Sequence, residues 1–120
     1  MSTVLVVDDE PDLRFLIRRI LERAGHDVVE ASHGAAALEA VKLSPPELVV
    51  TDMMMPVMNG LELIALLRAN PDTAAIPILV VSAEAQRAVD ADAVLRKPFE
   101  PNALTDMANA LLEKRGSLTR

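Results

Sequence analysis

A chain of 120 residues, 51% hydrophobic and 25% charged, is long enough for one globular core and too short for two. Without a cysteine it can form neither disulfides nor thiolate metal sites, and a net charge of −6 excludes the basic stripe that a nucleic-acid surface needs. No apolar run reaches membrane-spanning length and no basic-then-apolar leader opens the chain, so the expected setting is the cytoplasm, with neither membrane nor nucleic acid as partner.

The first predicted element is a strand at Val4–Val7, branched apolar residues that read as buried on both faces. It runs directly into two acids, Asp8 and Asp9. Pro11 suits the first position of a helix in which Leu13, Leu16, Ile17, Ile20, Leu21 and Ala24 keep the spacing of one buried face, and Gly25 suits its stop. A second strand at Asp27–Glu30 precedes a weaker helix marked by Ala37, Leu38 and Val41. The third strand, Leu48–Thr51, ends in Asp52 within ELVVTDMMMP. Asn59–Gly60 signals the start of a helix carrying Leu63, Ile64 and Leu67. The fourth strand, Ile78–Val81, ends at Ser82, and the fifth, Ala93–Leu95, leads to Lys97. Leu104, Met107, Ala108, Leu111 and Leu112 mark a last helix opened by Pro101. His26 and His33 lie in turn-like contexts and are expected at the solvent, while Phe15 and Phe99 are expected in the core. Lys114, Arg115 and Arg120 read as a solvated tail.

Strand–helix alternation with apolar strands predicts an α/β fold: a doubly wound, five-stranded parallel sheet covered on both sides. In such sheets ligands sit beyond the carboxyl ends of the strands, where strand order reverses. Asp8, Asp9, Asp52, Ser82 and Lys97 all fall at strand ends and so converge on one rim. Clustered carboxylates repel one another, and a hard divalent cation such as Mg²⁺, bound through carboxylate and phosphate oxygens, resolves that conflict. An aspartate so shielded can attack phosphorus, with a lysine and a hydroxyl on the equatorial oxygens. The Met-rich MMMPVM could suggest copper(I), but it holds no Cys or His, and methionine packing is the better account.

The motifs VLVVDDEPD, LVVTDMMMPVMNGLEL, ILVVSA and LRKPF together resemble the receiver domain of two-component response regulators, over nearly the whole chain. The resemblance implies a flavodoxin-like domain over residues 1–116 with a tail at 117–120. It implies Asp52 as phosphoacceptor, Ser82 and Lys97 as its assistants, and Mg²⁺ held by Asp8, Asp9, Asp52 and the backbone carbonyl of Met54. It also implies a cis bond before Pro98, and a phosphoacceptor that assists its own phosphorylation and dephosphorylation without being an enzyme. The partners it implies are a histidine kinase or histidine phosphotransfer protein and a downstream protein target, with the module acting alone as relay or diffusible regulator. A phosphohydrolase with an Asp nucleophile would need an acid two positions on, where this chain has Met54. A receiver-like binding module that is never phosphorylated is the other alternative, and the intact acids, Ser82 and Lys97 argue against it.

The chain departs from the family in two places. Position 94, where relatives carry an aromatic switch residue, is Val94. Residues 83–92 alone are left for the crossover between the last two strands, at the lower limit of about 10–12 residues for such a unit. The fourth helix is therefore expected to be a stub or an irregular loop, leaving an altered surface around 83–95.

Overall fold

A computed structural model describes residues 2–53, 55, 58–83 and 91–118. In chain order the elements are β1 (Thr3–Val7), α1 (Pro11–Arg23), β2 (Asp27–Ala31), α2 (Gly34–Leu43), β3 (Leu48–Thr51), α3 (Gly60–Ala69), β4 (Ile78–Ser82), β5 (Ala93–Arg96) and α4 (Pro101–Leu118). The five strands form one parallel sheet in the order β2-β1-β3-β4-β5. This is the expected flavodoxin-like arrangement. The stub was expected within residues 83–92, and of these 84–90 lie outside the described residues. Among the described residues no helix is long and apolar enough to cross a membrane.

Alternation along each strand divides the core into two layers. Leu5 and Val7 point to the side covered by α2 and α3, where they meet Ala37, Val41, Leu63 and Leu67. Val4 and Val6 point the other way, onto Ile17 and Leu21 of α1 and Leu104 and Ala108 of α4. Strands β1, β3 and β4 are buried along nearly their whole length, as their unbroken apolar runs require. The edge strands depart from that expectation: β2 alternates between covered and open residues, and β5 is only partly covered. Val29 is accordingly exposed.

Pro11 stands at the start of α1 as expected, and Gly25 follows its end at φ 96°, a left-handed conformation that costs glycine little. The buried stripe of α1 is narrower than the apolar pattern suggested. Ile17 and Leu21 are buried, whereas Leu16 is half exposed. Phe15 is not a core residue: it is 56% exposed, and the Arg19 guanidinium lies 5.7 Å from its ring centroid, where the ring's negative face attracts the cation. Phe99 does pack against the α1–α4 layer.

The two histidines are also more engaged than turn residues exposed to water. His26 Nε2 lies 2.9 Å from Asn109 Oδ1, joining the α1–β2 turn to α4. His33 is the N-cap of α2, its Nδ1 accepting a hydrogen bond from the Ala36 N–H at 3.1 Å. Asn59 and Glu62 form a reciprocal capping box at the start of α3. That box fixes where α3 begins, just beyond the end of β3.

Candidate functional site

The strand order reverses between β1 and β3: β2 is laid on one side of β1, and β3, β4 and β5 follow on the other. The carboxyl ends of β1 and β3 carry Asp8–Asp9 and Asp52. The backbone locks them in register: the Asp52 N–H donates to the Val7 carbonyl at 3.0 Å, and the Asp8 N–H to the Ala31 carbonyl at 3.1 Å. One oxygen from each of Asp8, Asp9 and Asp52 lies within 4.8 Å of the others. Asp8 and Asp52 are buried and Asp9 is exposed.

The two buried carboxylates are held in the same way. Asp8 Oδ1 accepts from the Glu10 N–H at 2.9 Å, and Asp52 Oδ1 accepts from the Met53 N–H at 2.8 Å. The second oxygen of each faces the Lys97 ammonium, at 3.8 Å from Asp8 Oδ2 and 3.6 Å from Asp52 Oδ2. Both distances mark an ion pair rather than a direct hydrogen bond. Lys97 follows the end of β5, its N–H donating to the Ser82 carbonyl at 3.2 Å, and its bond to Pro98 is cis. Ser82 is buried at the end of β4, on the same rim. Asp8, Asp9, Asp52, Ser82 and Lys97 thus share one end of the sheet, as expected. Met54 lies outside the described residues.

Burial pushes the Asp8 carboxyl above its ordinary range, and the Asp52 and Asp9 carboxylates push it further, while the Glu10 N–H and the Lys97 ammonium oppose them. Among the described residues three carboxylates face one ammonium, so their charges sum to an excess of negative charge at the rim. Their oxygens are hard donors at a spacing that a small divalent cation could bridge, and its charge would relieve the repulsion. The donor set fits Mg²⁺.

Two further contacts support this rim and were not legible as site residues. Thr51 Oγ1 donates to the Asp52 carbonyl at 2.9 Å. Arg14 Nη1 donates to the Asp8 carbonyl at 2.7 Å, while its Nε donates to Glu30 Oε1 at 2.9 Å. Glu30, an acid between Val29 and Ala31 inside β2, was the signal available in the sequence. Gly60 also belongs here. A Cβ at that position would meet the backbone of Asp52 and Met53, so only glycine lets α3 start so close to the acid.

The family described as the response regulator receiver domain matches residues 4–109. The alkaline phosphatase synthesis transcriptional regulatory protein PhoP of Bacillus subtilis is 34% identical over 118 residues, covering 92% of this chain and 48% of PhoP. The chain thus spans about half the length of that relative. Protein PilH of Pseudomonas aeruginosa is 29% identical over 119 residues, covering 93% of this chain and 98% of PilH. Among solved structures, the chemotaxis response regulator CheY4 of Vibrio cholerae superposes with a TM-score of 0.86 at 29% identity, covering 92% of this chain and 98% of that one.

Proposed function

The chain belongs to the response regulator receiver domain family, and from that premise we propose that Asp52 accepts a phosphoryl group from the phosphohistidine of a partner kinase or phosphotransfer protein. The observation that carries the reading is the shared geometry of the two buried acids. Each has one oxygen held by a backbone N–H and the other turned toward Lys97 at the strand switch point.

In this reading Asp8, Asp9 and Asp52 hold Mg²⁺, with the Met54 carbonyl as a further ligand. The bound ion would supply charge neutralisation for an anionic nucleophile meeting an anionic phosphoryl group. Asp52 Oδ2 attacks phosphorus, the new O–P bond forms as the P–N bond to the donor histidine breaks, and the imidazole leaves. The Met53 N–H keeps Asp52 from rotating, which confines attack to one oxygen. Lys97, already beside Oδ2, balances charge on the phosphoryl oxygens, and the Ser82 hydroxyl donates to one of them. Phosphorylation then alters the binding of a downstream protein.

Incubating the protein with Mg²⁺ and acetyl phosphate or a phosphoramidate, then weighing it intact, tests the reading. One added phosphoryl group is expected in the wild type and none in Asp52→Asn or in chelator. A full-stoichiometry adduct on Asp52→Asn would overturn the assignment.

A further inference from the structure

Asp8 is restrained at every polar atom but one. Its N–H is held by the Ala31 carbonyl of β2, its Oδ1 by the Glu10 N–H and its carbonyl by the Arg14 guanidinium. Only Oδ2 is left for Lys97 and the other acids. The Arg14 N–H also donates to the Glu10 carbonyl at 3.0 Å, but that is the first main-chain bond of α1 and any residue at 14 except proline would make it. The grip that belongs to the arginine itself is the guanidinium on the Asp8 carbonyl. Arg14 is in turn aimed from the edge of the sheet. Glu30 Oε1 takes its Nε, and Glu30 Oε2 takes Nη1 of Arg18 at 2.6 Å, one turn further along α1.

We propose that Arg14, oriented by Glu30, is a positioning residue that preorganises the Asp8–Asp9 loop for a divalent cation. The inference rests on the proposed function and adds a support for the metal site that touches neither the metal nor the phosphoryl group. Arg14 acts on the cation in two opposed ways. Its positive charge repels a dication at the rim, whereas its grip on the Asp8 carbonyl holds the ligand loop in place. Partners of metal ligands are commonly worth 10–100-fold in affinity, and the Arg14 charge, already paired with Glu30, repels a dication by far less. Geometry therefore wins, and removing the arginine weakens binding despite removing a repulsive charge. Lysine cannot substitute, because a point charge cannot bridge Glu30 and the Asp8 carbonyl as the planar fork does.

The test is calorimetric titration of the full chain with Mg²⁺ alone, with amide exchange of the metal-free protein as a second readout. Arg14→Lys and Arg14→Gln should each weaken Mg²⁺ binding by about tenfold or more. Glu30→Val, which leaves Arg14 in place but unaimed, should weaken it by a smaller factor and carries the test if an Arg14 variant fails to fold. Arg19→Gln removes a charge from the same helix, and with no contact to the loop it should stay within about twofold of wild type. Exchange at the Glu10 amide should accelerate in both Arg14 variants before any metal is added. Wild-type affinity in Arg14→Lys, or tighter binding in Arg14→Gln, overturns the inference while leaving Asp52 phosphorylation standing. A wild type that neither binds Mg²⁺ nor is phosphorylated overturns the proposed function and this inference together.

Discussion

Gly60→Ala adds a single methyl group where α3 meets the phosphoacceptor strand. The new Cβ would lie 2.8 Å from the Met53 Cα and nearer still to the Asp52 carbonyl oxygen, where real Cβ atoms keep at least 3.0 Å. Both obstacles are backbone atoms, so no side-chain rotation relieves them. Either α3 backs away, stretching the 2.9 Å hydrogen bond from the Gly60 N–H to the Met53 carbonyl, or Asp52 itself is displaced. Overpacking of this kind costs about 1–3 kcal/mol. Alanine's smaller loss of chain entropy returns about 0.4–1 kcal/mol, leaving a net loss of about 1–2 kcal/mol. At about 3–5 °C per kcal/mol for a domain of this size, that lowers Tm by about 3–10 °C. Phosphorylation should slow more than stability suggests, by about tenfold, because sub-ångström misplacement of a nucleophile is costly. Far-UV circular dichroism melts and timed phosphorylation by acetyl phosphate measure the two effects. An alanine variant that melts at or above wild type and is phosphorylated at the wild-type rate would refute the argument from contact.

Asp8→Asn should melt above wild type at neutral pH in chelator, because the ionised Asp8 is held where burial disfavours it. Its folded pKa is raised, so protonation stabilises the fold, and the advantage of Asn should vanish as pH falls below the ordinary value of 3.8. Saturating Mg²⁺ at about 100 times Kd should stabilise wild type by about 2.7 kcal/mol and Asp8→Asn by much less; equal gains would remove Asp8 from the metal site. Glu30 behaves oppositely, with the Arg18 and Arg14 hydrogen bonds holding its carboxyl below the ordinary 4.5. The stability from these pairs is present above that value and lost as pH falls through the folded pKa, so acid melts of Glu30→Val should be less steep than wild type between about pH 5 and 3. Asn59→Ala should lower stability by about 1 kcal/mol through loss of the capping box, measured by urea denaturation.

The fold was readable because three strands are buried on both faces and their apolar runs are unbroken, with helical spacing between them. The rim was readable because strand ends in a parallel sheet share one edge, so Asp8, Asp52, Ser82 and Lys97 were placed by their positions in the chain. Contacts between distant segments were not. His26 meets Asn109 across 83 residues, and no local pattern encodes that pairing. Phe15 was misplaced by its chemistry: two residues before Ile17, and so on nearly the opposite side of the helix, its aromatic ring faces water and finds Arg19. Arg14 and Arg18 lie off the apolar stripe of α1 and carried no signal of their own; only the packing of α1 against β2 turns them toward Glu30.

The strand order has a consequence for how the protein assembles. The acids come from β1 and β3, which can pair once about half of the chain is available, whereas Lys97 arrives with β5, the last strand and an edge. Until β5 docks, Asp8 and Asp52 stand together with no ammonium beside them, and their repulsion opposes the partly built sheet. Completing the sheet and bringing the Lys97 ammonium to the rim are one event. The same holds in reverse for the folded protein. Among the described residues strand β5 pairs only with β4, and an edge strand opens more readily than the strands inside it. Each such opening would strip Lys97 from both carboxylates at once, so exchange at the β5 amides should report on the charge state of the rim.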